Sequence, residues 1–283
     1  MSKIYLSAFT DEYSKNIDAQ IALCREYEIP YLEPRFVNDK NISDLTAAEA
    51  KELKNKLEDI KVSSIGSPIG KISLADDFQG HLEKAKRVFE TANILETKNV
   101  RMFSFYLHPG KTRQECRGEV LEKLGQMIDV AKAYDVVLCH ENEAEIYGES
   151  PDMCLDILTA FGGDLKCVFD MGNFVLGGFD PYTEAYPRLK EYIQYFHIKD
   201  ALGAGAVVPP GCGEGHIHEI LTDYIEEHNR DVIITLEPHL QTFDGLNALV
   251  GRSFENPYKY ETQEAAFLDA LARLRGMLVE YRI

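Results

Sequence analysis

The sequence predicts an α/β fold of the closed (β/α)8 type, in one domain over residues 1–283, on three observations. Short apolar runs alternate with amphipathic helical stretches from end to end. Four of the runs are rich in β-branched residues and each stops at a polar residue: 136–140 at Glu141, 165–169 at Asp170, 192–196 at His197 and 232–236 at Glu237. No linker, low-complexity tract or shift of composition breaks the series. Apolar runs of this length read as parallel strands covered on both faces. Parallel neighbours need helical crossovers, and eight even units close into a barrel more readily than they spread into a doubly wound open sheet.

The elements follow in order. Ile4-Tyr5-Leu6-Ser7-Ala8-Phe9 is the first strand, and a helix over 14–28 carries Ile17, Ile21, Leu23 and Cys24 on its apolar face. Tyr31-Leu32-Glu33 is the second strand, closed by Pro34. Thr46 with Glu49 three positions on is a capping box opening a helix with Leu53, Leu57 and Ile60 on its stripe. Residues 61–66 form strand three, followed by the turn-rich Ser67-Pro68-Ile69-Gly70 and a helix over 77–96. Strand four spans 100–105 and a helix over 114–134 leads to strand five. Strands five to eight are the four runs above, with helices predicted at 182–190, 217–228 and 262–281.

Composition narrows the function. A formal net charge of −17 argues against a polyanionic partner such as nucleic acid, whose binding depends on neutralising phosphates. No apolar run approaches the roughly 20 residues of a membrane span. The N-terminal residues lack a signal-peptide pattern, and the six cysteines form no C-x-x-C pair. These features predict a reduced, cytoplasmic protein without a membrane partner.

In a barrel, residues at the C-terminal ends of strands face one mouth. Glu141, Asp170, His197 and Glu237 then converge into an oxygen-rich cage with one imidazole, which suits a divalent metal and points to an enzyme. Side chains alternate along a strand, so Glu143 shares a face with Glu141, Lys199 with His197, and His239 with Glu237. Three of the four have a plainer reading: Glu237 as a carboxylate paired with Arg or Lys, Asp170 as a cap of the turn at 171–173, His197 as a core histidine. Their common register favours the cage.

The segments Tyr31-Leu32-Glu33-Pro34-Arg35, Leu138-Cys139-His140-Glu141-Asn142, Phe169-Asp170-Met171-Gly172-Asn173, Phe196-His197-Ile198-Lys199-Asp200, Gly211-Cys212-Gly213-Glu214-Gly215 and Leu236-Glu237-Pro238-His239 carry a resemblance over essentially the whole chain. In order and spacing the chain resembles the xylose isomerase-like TIM-barrel superfamily, in its sugar phosphate isomerase/epimerase branch, with enzymes of the D-tagatose 3-epimerase type. The resemblance implies one divalent ion (Mn²⁺, Co²⁺, Mg²⁺ or Zn²⁺) on Glu141, Asp170, His197 and Glu237, with Glu141 and Glu237 doubling as acid/base groups. It also implies a small carbohydrate substrate and a possible homo-oligomer. Ketohexose epimerases of the family often carry histidine where this chain has Asn173.

The expected chemistry is proton transfer beside a carbonyl, with a metal-dependent dehydratase or lyase on an inosose or 3-keto-glycoside as the alternative. Endonuclease IV, of the same superfamily, needs an Asp-x-His pair where this chain has Val207-Val208-Pro209. A non-catalytic sugar-binding subunit is the remaining contender. Glu33, Arg35, His108, Glu143, Asn173, Lys199 and His239 are the candidate substrate contacts. Glu33 and Arg35 have mutual pairing as their plainer reading, and His108 an exposed loop. The glycines 211, 213 and 215 make a turn before a helix, whose amides are also a possible phosphate seat.

Overall fold

The computed structural model describes residues 3–240, 256–281 and 283. Eight parallel strands surround one axis: β1 (Ile4–Ala8), β2 (Tyr31–Leu32), β3 (Lys61–Val62), β4 (Asn99–Met102), β5 (Val137–Glu141), β6 (Leu165–Asp170), β7 (Ile193–Ile198) and β8 (Val232–Leu236). Six of them form one continuous ladder in the order β1-β8-β7-β6-β5-β4, and β2 pairs with β3. Single contacts complete the circle. Glu33 N–H donates to Ala8 O at 3.1 Å, Ile65 bridges Val100, and Ile65 N–H donates to Asn99 O at 3.0 Å. The closed barrel predicted from the strand runs is therefore the observed architecture.

Strands two and three are shorter than predicted. Pro34 removes a ladder donor just past β2, and beyond Val62 the chain continues alongside its neighbours through isolated hydrogen bonds, as from Ser63 N–H to Leu32 O at 3.0 Å.

Helices α1 (Ile17–Glu26), α2 (Ala47–Leu57), α3 (Phe78–Ile94), α4 (Arg113–Ala133), α5 (Pro151–Phe161), α6 (Met171–Leu176), α7 (Tyr186–Leu189), α8 (Ile217–His228) and α9 (Gln263–Met277) occupy the crossovers. Among the described residues none is long and apolar enough to cross a membrane. The capping box of Thr46 and Glu49 forms as predicted, and Thr112 with Glu115 makes a second at α4. Helix α5 was not anticipated, although Ser150 caps it and Pro151 takes its first turn, both helix-start signals. The helix predicted at 182–190 is instead a π turn at Pro181–Ala185, the short α7 and a 3-10 turn at Lys190–Tyr192.

Alternation along the strands divides the core in two. Outward-facing residues such as Leu138, Phe169, Phe196 and Ile234 join the helices in one large apolar cluster, while Cys139, Val168 and Tyr195 form a small one inside the barrel. The rest of the interior is polar: Ser7 and Ser63 hydroxyls pair at 2.7 Å, and Ser64 and Thr235 are fully buried. An apolar floor under a polar upper layer sets the stage for the site.

Candidate active site

Strand register brings the site together. Asp170 on β6 pairs with His197 on β7, and His197 pairs with Thr235 on β8, so Glu237 emerges one step further on. Candidate ligand atoms of Glu141, Asp170, His197 and Glu237 all lie within 4.8 Å of one another, and all four residues are buried. His197 Nδ1 is 2.8 Å from Glu141 Oε1 and 3.0 Å from Glu237 Oε2. Glu141, and not Glu143, joins this cluster.

Each carboxylate has a cation of its own. Arg101 Nη1 lies 3.1 Å from Glu141 Oε2, Arg35 Nη1 donates to Glu237 Oε1 at 3.1 Å, and Lys199 Nζ donates to Asp170 Oδ2 at 2.9 Å. Phe9 lies between the guanidinium groups, 4.5 Å from that of Arg35 and 5.0 Å from that of Arg101, with its edge toward His197. Burial pushes all three acids up, but their partners divide them. His197 and Arg101 pull Glu141 down to about 2, and Lys199 with the neighbouring imidazoles holds Glu237 well below the usual range. For Asp170 burial outweighs Lys199, leaving it at about 7. Burial would depress His197, yet the carboxylates of Glu141, Glu33 and Glu237 outweigh it and raise the imidazole well above its ordinary value.

The residues fit a divalent ion. Among the described residues Glu141 Oε2 and Glu237 Oε2 are buried and complete no hydrogen bond, with the ion-pair contacts of Arg101 at 3.1 Å and His197 at 3.0 Å beside them, so both keep lone pairs for a ligand bond. Three carboxylates and one imidazole are hard, oxygen-dominated donors suited to Mg²⁺, Mn²⁺ or Zn²⁺. Asp170 serves two purposes at once: Oδ1 accepts the Asn173 N–H at 2.8 Å, capping α6, while Oδ2 faces Lys199.

The other candidate contacts scatter. Asn173 stays at the site, its Oδ1 accepting from Lys199 Nζ at 3.1 Å. His239, 43% exposed in its side chain, stands at the rim with Nε2 3.2 Å from Arg35 Nη1 and 3.4 Å from Glu237 Oε1. Arg35 does not pair with Glu33. Its guanidinium donates to Asp11 at 2.9 Å and Glu12 at 3.1 Å as well as to Glu237. Glu33 is fully buried behind the His197 ring, where Tyr195, Thr235 and His197 occupy both oxygens, so it has no face to offer a substrate. His108 pairs with Glu119 on α4 at 2.7 Å, and Glu143 with Lys71 at 2.8 Å, both outside the cluster. The phosphate seat is closed, because Asp200 accepts the N–H groups of Gly211, Gly213 and Gly215 at 2.8–2.9 Å.

Sequence reasoning missed Arg101, Asp11, Glu12 and Asn142. A charged residue inside the apolar run Val100-Arg101-Met102 and an acidic pair just past β1 were the available signals. Asn142 clamps the Asp170 backbone through two hydrogen bonds of 3.0 Å, and nothing in its spacing marked it.

Comparison with known proteins places this architecture. The family model described as Xylose isomerase-like TIM barrel matches residues 21–271. A 3-dehydroshikimate dehydratase of Bacillus anthracis is 22% identical over 174 residues, 61% of this chain, and the match spans 59% of that protein's length. A D-tagatose 3-epimerase-like protein superposes with a TM-score of 0.73 at 15% identity, covering 99% of this chain and 98% of its own. A xylose isomerase-like TIM-barrel protein from Mycobacterium smegmatis, solved in complex with magnesium, gives a TM-score of 0.68 at 16% identity over 99% and 98%.

Proposed function

Given that the chain belongs to the xylose isomerase-like TIM barrel family, we propose that it is a divalent-metal-dependent isomerase or epimerase. It transfers a proton beside the carbonyl of a ketose, keto-sugar or related derivative. The observation that carries this reading is the pair of buried glutamates, each with one oxygen that completes no hydrogen bond, converging on Nδ1 of His197.

Glu141, Asp170, His197 and Glu237 would hold the ion, which when bound supplies the positive charge that stabilises an oxyanion developing on the substrate. Glu141 and Glu237 act as the base and the acid. Arg101 and Arg35 fix their directions; one glutamate, ionised, takes the substrate proton, and the other delivers a proton that it has taken up from solvent. Delivery of the second glutamate's proton to the opposite face inverts the carbon, while the first glutamate gives up its proton to solvent; delivery of the removed proton to the adjacent carbon isomerises. Lys199, buried between Asp170 and Glu237, donates to a substrate oxygen, and His239 and Arg35 contact the substrate at the rim.

Elimination is the second reading, favoured by the dehydratase relative and by Lys199, an ammonium able to protonate a departing hydroxyl. One experiment separates the two: incubation with Mn²⁺ and a panel of ketoses, keto-sugars and 3-keto-glycosides in D₂O, followed by proton NMR. Exchange at a carbon beside the carbonyl supports isomerisation or epimerisation. Loss of water with a new olefinic signal supports elimination. Binding of a sugar with neither change, across the panel, would overturn both in favour of a sugar-binding role.

A further inference from the structure

We propose that Glu33, at the end of β2, is a positioning residue that orients His197 for metal binding. The inference rests on reading the cage as a metal site. Glu33 is fully buried. Its Oε1 accepts the Tyr195 hydroxyl at 3.0 Å, and its Oε2 accepts the Thr235 hydroxyl at 2.7 Å and lies 3.3 Å from His197 Nε2. The Tyr195 hydroxyl is also within 2.9 Å of Ser64 Oγ. Side chains of β7 and β8 thus meet at the one carboxylate just past β2, with Ser64 beyond β3 supporting the Tyr195 hydroxyl.

The two ring nitrogens of His197 face opposite partners. Nε2 faces Glu33, whereas Nδ1 faces Glu141 and Glu237. Phe9 at 5.0 Å and Tyr195 at 5.4 Å pack edge to face on the imidazole, at 78° and 64°, and resist its rotation. A carboxylate that accepts the Nε2 proton leaves the Nδ1 lone pair aimed into the cage. Fixing tautomer and direction in this way raises ligand basicity, and losing such a partner typically lowers metal affinity 10–100-fold. Here the Tyr195 and Thr235 hydroxyls each bind one oxygen and fix the direction of the carboxyl group, so that Oε2 faces the imidazole.

The test is Mn²⁺ titration of metal-stripped protein, comparing wild type with Glu33→Gln after circular dichroism has established that the variant folds. The expected result is a Kd raised about 10–100-fold, with smaller increases in Thr235→Val and Tyr195→Phe, which keep the carboxylate but remove one donor each. In the Zn²⁺-loaded wild type, ¹⁵N NMR should show a protonated Nε2 on His197, and in Glu33→Gln that signal should be lost or exchange-broadened. Wild-type affinity in Glu33→Gln would overturn the inference. Should Glu33→Gln fail to fold, wild-type affinity in both hydroxyl variants would overturn it equally. Wild-type protein that takes up no Mn²⁺ would overturn the metal reading itself, and this inference with it.

Discussion

At the residue scale, what separates ligands, acid/base groups and supports is which carboxylate oxygens complete a hydrogen bond and which do not. Glu141 and Glu237 each keep one buried oxygen without a hydrogen bond, whereas both oxygens of Glu33 are taken. Glu141→Gln and Glu237→Gln should therefore each lower turnover by about 10² or more, the scale of lost general acid/base catalysis. His239, at the rim, should act differently: His239→Ala should raise KM more than it lowers kcat. Steady-state kinetics at measured metal content decides, and wild-type turnover in either glutamine variant would show the wrong base has been named. The four central residues were legible in the sequence because an apolar strand advertises its end. The supports were not. Arg101 reaches Glu141 from the neighbouring β4, and Arg35 reaches Glu237 across 202 positions of chain, a separation that barrel closure collapses.

At the element scale, the turn between β7 and α8 shows how a plausible ligand seat becomes a strut. The carboxylate of Asp200 accepts the amides of Ala201, Gly211, Gly213 and Gly215 at 2.8–2.9 Å, and a Cβ at Gly213 would overlap it. Glycine is needed there for close approach, not to admit a phosphate. Asp200→Ala would leave several amides without partners at about 1–3 kcal/mol each where no water replaces the carboxylate. Chemical denaturation should then show a loss of roughly 3 kcal/mol or more, with Asp200→Asn intermediate because it keeps one acceptor oxygen. A variant as stable as wild type would show that the loop is held elsewhere. Sequence patterning located the strands well, since buried parallel strands are continuous apolar runs. It was weakest where other rules win: Pro187 interrupts the stretch predicted as one helix at 182–190, and the hairpins at Phe36–Val37 with Lys40–Asn41 and Asp200–Leu202 with Ala206–Val208 have only two or three residues per arm. Such short arms carry too few residues for a period to register.

At the scale of the whole molecule, the described residues of the barrel mouth bring more carboxyl groups together than arginines and lysines. Among the described residues Asp11, Glu12, Glu33, Glu141, Asp170 and Glu237 face Arg35, Arg101 and Lys199, all largely buried, together with the imidazoles of His197 and His239. Without metal, protons make up part of the difference, because His197 is raised well above its ordinary value and burial lifts Asp170 to about 7. Both groups hold protons more tightly folded than unfolded. Their stabilisation is therefore full at low pH and is lost as pH rises, from about 4 to 7 for Asp170 and from 6.5 upward for His197. Glu12, raised to about 7, adds to the loss between 4.5 and 7, whereas Glu141, held down to about 2, and His239, lowered to about 3, work the other way only below about 4.5 and 6.5. A divalent ion on the same atoms replaces those protons, so binding should release close to one or more protons per ion and tighten as pH rises. At 100 times Kd the ion adds about 2.7 kcal/mol, roughly 5 °C in Tm for a chain of this size. The Tm of metal-stripped protein should fall between pH 6 and 8, and the gain on adding Mn²⁺ should widen over the same range. Elemental analysis should find about one divalent ion per chain, and calorimetry in buffers of different ionisation enthalpy should count the protons released. A gain in Tm that stays constant from pH 6 to 8, with no proton release, would mean that the ion binds without displacing a proton from His197 or Asp170, away from the cage.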